Sequence, residues 1–136
     1  MVSKRFRATA LGTGALLAAS LLDAAAFAAA GDYRFEVVSA RPAGTGKTDV
    51  TVRLIHVPDN KPVPGAVVFQ SRADMAPSGM ATMTGHVSPA AGQPQPGTYR
   101  FQVETGMAGA WAMTLAAKVQ GEAETVRTTV TFNAAR

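Results

Sequence analysis

Cysteine is absent from this chain of 136 residues, and its absence removes several kinds of chemistry at once. Without a thiol the protein forms no disulfide, has no cysteine for lipid attachment and offers no thiolate to a metal or a substrate. Its fold must therefore be held together by burial of a core alone. The soft ligands that remain are six methionines and two histidines, and thioether sulfur and imidazole both suit Cu(I).

Runs of one charge are lacking as well. The chain has 13 basic and nine acidic residues, dispersed and not interleaved with aromatic side chains, so nucleic-acid binding has no support. Three basic residues, Lys4, Arg5 and Arg7, and one acidic residue, Asp23, belong to the N-terminal segment. Without these four, ten basic and eight acidic residues are left, and the net charge falls from +4 to +2.

That N-terminal segment is typical of a signal peptide. Its basic start is followed by an apolar run from Ala8 to Leu22. The run is roughly 15 residues long, shorter than the ~20 that span a bilayer, and small residues follow it. We therefore predict a signal peptide over residues 1–30, cleaved after Ala28 or Ala30. We expect a periplasmic protein whose mature chain has no membrane span; retention of the leader as an anchor is the alternative.

The rest of the chain, residues 31–136, alternates apolar and polar side chains with the period of two that is typical of β-strands. Seven runs show the alternation, and they begin near Tyr33, Val50, Ala66, Thr82, Tyr99, Trp111 and Val126. Segments rich in proline and glycine separate the runs. About seven short strands in about 105 residues predict a single all-β domain, an immunoglobulin-like antiparallel β-sandwich.

If the chain reverses after every strand, alternate loops lie at the same end of such a sandwich. By this count the loops near 40–47, 75–81 and 106–109 share one end, which we call the methionine end. The loops near 57–65, 89–97 and 120–123 share the other, which we call the far end.

The methionines divide between the core and the loops. Met113 lies two residues from Trp111 and from Leu115, so we expect it to point into the core. Met83 is also predicted to lean towards the core, provided that residues 82–88 form a regular strand.

Met75, Met80 and Met107 fall in loops of the methionine end. Three thioethers that converge there would form a Cu(I) site, for which Met83 and His86 are weaker candidate ligands. The alternative is that these methionines are flexible apolar plugs that cap the sandwich.

The two histidines are predicted to lie towards the far end. His86 faces away from Met83, and His56 ends a strand that runs in the opposite direction. A bulge at Gly85 would bring His86 back beside Met83. A surface or half-buried imidazole without a ligand is the alternative for both.

Enzymatic motifs are lacking. The segment 44–48 resembles part of a phosphate-binding loop, but Arg41 stands where the first glycine is required, and a strand follows instead of a helix. No serine or histidine has a partner at a spacing that indicates catalysis. We therefore predict no catalytic residues, no organic cofactor and no enzymatic activity. Asp74, next to Met75, is either an outer-shell charge for a bound cation or a solvated strand end.

Four segments of the chain form a recognisable set: 61-KPVPGA-66, the segment from Met75 to Met83, 96-PGTYRF-101 and 106-GMAGAWAMTL-115. In these segments the sequence resembles the YtkA-like/FixH family of small exported β-sandwich proteins, and the resemblance covers roughly residues 49–132. It implies an accessory protein of a heavy-metal efflux system or of copper supply for oxidase assembly. FixH keeps a transmembrane anchor, whereas this chain is predicted to be cleaved, which favours a soluble periplasmic form.

Two functions are therefore expected. The first is a periplasmic Cu(I)-binding accessory protein that works with an envelope partner in efflux or assembly. The second is a metal-free interaction module whose methionine end docks onto an envelope protein, since methionine repacks against varied surfaces.

Overall fold

The computed structural model describes residues 30–92 and 94–135, which form two antiparallel β-sheets packed face to face. The predicted all-β sandwich is confirmed. The predicted signal peptide lies, apart from Ala30, outside the described residues. Within those residues no helix has the length and apolar character needed to cross a membrane.

The described chain contains nine strands. They are β1 (Tyr33–Pro42), β2 (Lys47–His56), β3 (Lys61–Pro62), β4 (Val67–Met75), β5 (Met80–Gly85), β6 (Val87–Pro89), β7 (Thr98–Glu104), β8 (Gly109–Lys118) and β9 (Val126–Ala134). Short 3-10 turns occupy Ala30–Asp32 and Ala76–Ser78. The number exceeds the predicted seven because β3 is an additional two-residue strand and because the fourth predicted strand is divided into β5 and β6.

Each sheet has antiparallel neighbours throughout. Sheet A has the order β1-β2-β7-β6, with β3 paired to the end of β2, and sheet B has the order β5-β4-β8-β9. The predicted inward sets form the core between the sheets: Val50, Val52 and Leu54 of β2 and Met113 and Leu115 of β8 are completely buried. The period of two in the sequence is therefore the period of burial in the structure.

The chain passes from sheet B to sheet A between β5 and β6. Gly85 ends β5 and pairs with Ala73, and Val87 begins β6 and pairs with Val103. A β-carbon built on Gly85 would overlap the carbonyl oxygen of Glu104 and lie 3.2 Å from the ring of Trp111. Only glycine allows the backbone to come this close to its neighbours.

We expect Gly85→Ala to destabilise the fold by about 1–3 kcal/mol, because the added methyl group forces the backbone away from Glu104. Gly106→Ala is the matched control, since a β-carbon there meets nothing within 4 Å. It should leave the free energy of unfolding unchanged or raise it by less than about 1 kcal/mol. Urea denaturation of both variants measures the difference, and equal stabilities would contradict the close approach at Gly85.

Candidate functional site

The loops group at the two ends as the strand count predicts. At the methionine end the Thr105 amide donates to the Gly46 carbonyl oxygen at 2.7 Å, and Ser78 Oγ donates to the Ala110 carbonyl oxygen at 3.0 Å. The first bond joins the β1–β2 and β7–β8 loops, and the second joins the β4–β5 loop to the start of β8, directly after the β7–β8 loop. At the far end Gly97 lies against Pro62. The three predicted loops of the methionine end are therefore neighbours.

Met75 is not a loop residue, contrary to the prediction. It is the last residue of β4, it is 1% exposed, and its Cε would lie 3.1 Å from a β-carbon on Gly109. Ala73, two residues earlier, pairs with the core residue Met113, so Met75 points inward by the same alternation. The strand extends to residue 75 because the turn that contains Pro77 begins only at Ala76. The prediction that Met113 is a core residue is confirmed.

Met80 and Met83 lie on a bulged edge strand. Met80 begins β5, so it is not a loop residue either, and it is half-buried against the core. Met75 pairs with Met80, and Asp74 pairs with Thr84, so residues 81–83 have no partner on β4. The prediction that Met83 leans into the core is wrong: it is 40% exposed. The bulge breaks the alternation that the prediction assumed.

Met107 lies in the β7–β8 loop, as predicted, and is 44% exposed. Its main chain is fixed by Trp111, whose indole Nε1 donates to the Met107 carbonyl oxygen at 3.1 Å. The Trp111 ring is buried and, on another side, approaches Gly85. Met107 also lines a cleft of about 690 Å³ with Gly44, Gly46 and Gly106.

His86 lies at the methionine end, whereas the strand count placed it towards the far end. The bulge adds residues to β5 without extending its pairing with β4. The pairing therefore reaches only Ala73 before the chain crosses to sheet A. The carbonyl oxygen of His86 accepts a hydrogen bond from the Glu104 amide at 2.9 Å. The exposed imidazole lines a cleft that shares Thr45, Gly46 and Gly106 with the Met107 cleft.

His56 lies at the far end, as predicted, and has local partners there. Its Nδ1 is 2.8 Å from Asp59 Oδ1, and this hydrogen bond lowers the pKa of Asp59. Its ring lies 5.1 Å from the ring of Tyr33. Burial and then a hydrogen bond to Glu122 raise the pKa of Tyr33 to about 12. These contacts connect β1, β2 and the β8–β9 loop, and they give His56 a structural role.

Asp74 is hydrogen-bonded to the start of the 3-10 turn after β4. Its Oδ1 accepts from the Ala76 amide at 3.0 Å, and its Oδ2 accepts from Arg72 Nε at 3.2 Å. The carboxylate is engaged by local donors and is only 16% exposed, so it is less solvated than the alternative of a solvated strand end assumed.

Two features of this end were not predicted from the sequence. Thr48 and Thr105 are buried with their hydroxyl oxygens 2.7 Å apart, and Thr105 lines the Met107 cleft. Glu104 lines the His86 cleft opposite Lys47, its partner across β2 and β7. Threonines and charges at strand ends usually face solvent, so the sequence carried no signal for either feature.

The site therefore consists of two exposed thioethers, Met83 and Met107, one half-buried thioether, Met80, and the exposed imidazole of His86. Among the described residues no three His, Asp or Glu side chains are grouped in a way that would hold a metal ion.

The fold and the site define a class, a small antiparallel β-sandwich with a methionine-bearing end.

The chain belongs to the YtkA-like family, whose model matches residues 27–116. The match contains every candidate ligand and starts and ends earlier than the resemblance predicted over 49–132. It supports the YtkA-like part of that resemblance, and the FixH part stays a prediction. Neither the curated proteins nor the solved structures gave a match.

We expect the methionines to differ sharply in their effect on stability. Met75→Ala should lower the free energy of unfolding by about 2–5 kcal/mol, because it leaves a cavity in the core. Met107→Ala should change it by no more than about 0.5 kcal/mol, because the side chain is exposed and Trp111 bonds to the main chain. Thermal and urea denaturation measure both values. A large loss for Met107→Ala would show that its side chain is a core residue.

Proposed function

We propose that this protein is a non-catalytic periplasmic accessory protein that binds Cu(I) at the methionine end, for metal efflux or for copper delivery to an envelope partner. The observation that carries the proposal is the exposure of Met83 and Met107 at the same end of the sandwich as His86. The core methionines Met75 and Met113 account for packing. Met83 and Met107 are only partly buried, and their side chains are available to act as ligands.

Hydrophobic burial gives a reason to regard the exposed pair as functional. Full burial of a methionine side chain is worth about 1.5–3 kcal/mol, and Met83 and Met107, which are 40% and 44% exposed, forgo a little under half of it. Thioether sulfur is a soft ligand, and the chain has no thiolate to compete with it. A thioether does not ionise, so its affinity for Cu(I) changes little with pH, in contrast to a thiolate or an imidazole.

The proposed ligands are Met83, Met107 and His86, with Met80 beside them. Met107 and His86 lie in clefts that share Gly46 and Gly106. Met80 and Met83 line a third cleft on the bulge of β5. Residues 81–83 have no ladder partner on β4, so this segment can move towards the other ligands at small cost. Met75 is not included, because its sulfur belongs to the core.

A metal-free interaction module is the second candidate. It is favoured by the fact that Met83 and Met107 are also large exposed apolar side chains, which suit an adaptable docking surface. The two functions differ in what they require, because only metal binding needs the sulfur atoms, whereas docking needs apolar volume.

A leucine series tests this difference. We expect the parent protein to compete with a Cu(I) chelator for one equivalent of metal. Met83→Leu with Met107→Leu should remove this competition, because leucine keeps the apolar volume but has no donor atom. Met75→Leu and Met113→Leu are matched controls that remove buried sulfurs and should leave binding intact.

The chelator is monitored by its absorbance under anaerobic conditions, and circular dichroism checks the fold of each variant. If the parent protein does not compete, the copper proposal fails, and the interaction module takes its place. If the double variant competes as well as the parent, the two exposed methionines are not the ligands.

A further inference from the structure

The far half of β4 is an open sheet edge. Strand β5 pairs only with Ala73, Asp74 and Met75, and the chain then crosses to sheet A. Residues 67–72 pair with β8 on one side, and within the described part of the chain no strand pairs with their other side. Alternate amide and carbonyl groups of this segment therefore point away from the sheet.

Two of the three most exposed large apolar side chains of the described residues lie on this edge. Val67 is 63% exposed and Phe69 is 54% exposed. Ser71 pairs with the core residue Leu115, so it faces the space between the sheets, yet it is also exposed. A small inward-facing residue that remains exposed shows that the sandwich is open beside it. The edge thus offers both backbone groups and apolar space to an added strand.

Proteins usually protect such an edge. In sheet A the edge of β7 is covered beyond the end of β6 by residues 90 and 91. The Ala90 amide donates to the Arg100 carbonyl oxygen at 3.0 Å, and Arg100 Nη1 donates to the Ala91 carbonyl oxygen at 3.1 Å. Residues 67–72 contain neither lysine nor proline. They have a bulge between Val68 and Gln70, but the residue at the bulge is the exposed Phe69. The protection seen on sheet A is missing here.

The charge beside the edge indicates what kind of strand would fit. The four strands of sheet B carry three cations, Arg72, Lys118 and Arg127, and a single carboxylate, Asp74, which is paired with Arg72. A second copy of this chain would bring like charges together. A strand with acidic residues on its outer face would instead meet opposite charges across the ladder.

We propose that the edge formed by residues 67–72 binds an extended segment of a partner protein, in which apolar residues alternate with acidic ones, as an added strand of sheet B. The backbone of the segment continues the ladder. Its apolar side chains enter the open space beside Ser71 and cover Phe69, and its carboxylates lie near Arg72. This surface is separate from the methionine end, and the proposal does not depend on copper binding.

The test uses the full-length protein and a fluorescein-labelled short peptide in which valine alternates with glutamate and threonine. Two N-methylated forms of the peptide carry their methyl groups on amides of one edge or of the other. Since only one edge of an added strand bonds to the protein, one form should lose binding and the other should keep it. Fluorescence anisotropy measures both, and hydrogen exchange should show new protection at residues 67–72.

Charge reversal provides the matched control. Arg72→Glu should weaken binding of the acidic peptide by about tenfold and favour a peptide with lysine in place of glutamate. The double variant Met83→Leu with Met107→Leu should bind the peptide as well as the parent does, which separates this proposal from the copper site.

Three results would overturn the proposal. The first is the absence of saturable binding of the unmethylated peptide to the parent protein. The second is equal binding of the two N-methylated forms, which would exclude a ladder. The third is a concentration-dependent dimer in sedimentation experiments that Phe69→Lys abolishes, because the edge would then belong to a second copy of the chain.

Discussion

The burial of Trp111 is the constraint on which the methionine end depends. Its indole nitrogen holds the main chain of Met107, and its ring lies against Gly85, where the chain crosses between the sheets. One side chain therefore fixes both the loop that carries Met107 and the crossover that places His86 beside that loop. In a chain without disulfides, this is how a core residue positions exposed side chains: through hydrogen bonds and close packing to their backbone.

Alternation along the strands made much of this predictable. Burial on one face of a sheet has a period of two, so Trp111, Met113 and Leu115 could be assigned to the core from their spacing alone. Counting reversals gave the two groups of loops, because an antiparallel chain changes ends at every turn. Both arguments use local patterns that hold wherever strands are regular.

The arrangement of the site could not be predicted in the same way, because it depends on irregularities. Three residues of β5 lack partners on β4, and the crossover at Gly85 depends on contacts with Glu104 and Trp111, which are distant in sequence. Nothing in the segment 80–86 encodes that register locally. One bulge was enough to turn Met83 outward and to keep His86 at the methionine end. Met75 was misplaced for a different reason, a strand that ends one residue later than predicted.

The structure thus separates methionines that pack from methionines that are available to bind. X-ray absorption spectroscopy at the copper edge, on protein loaded with one equivalent of Cu(I), tests this division most directly. The account predicts scattering from at least two sulfur atoms at about 2.3 Å, with one nitrogen from an imidazole. A spectrum that contains only nitrogen and oxygen neighbours would contradict it.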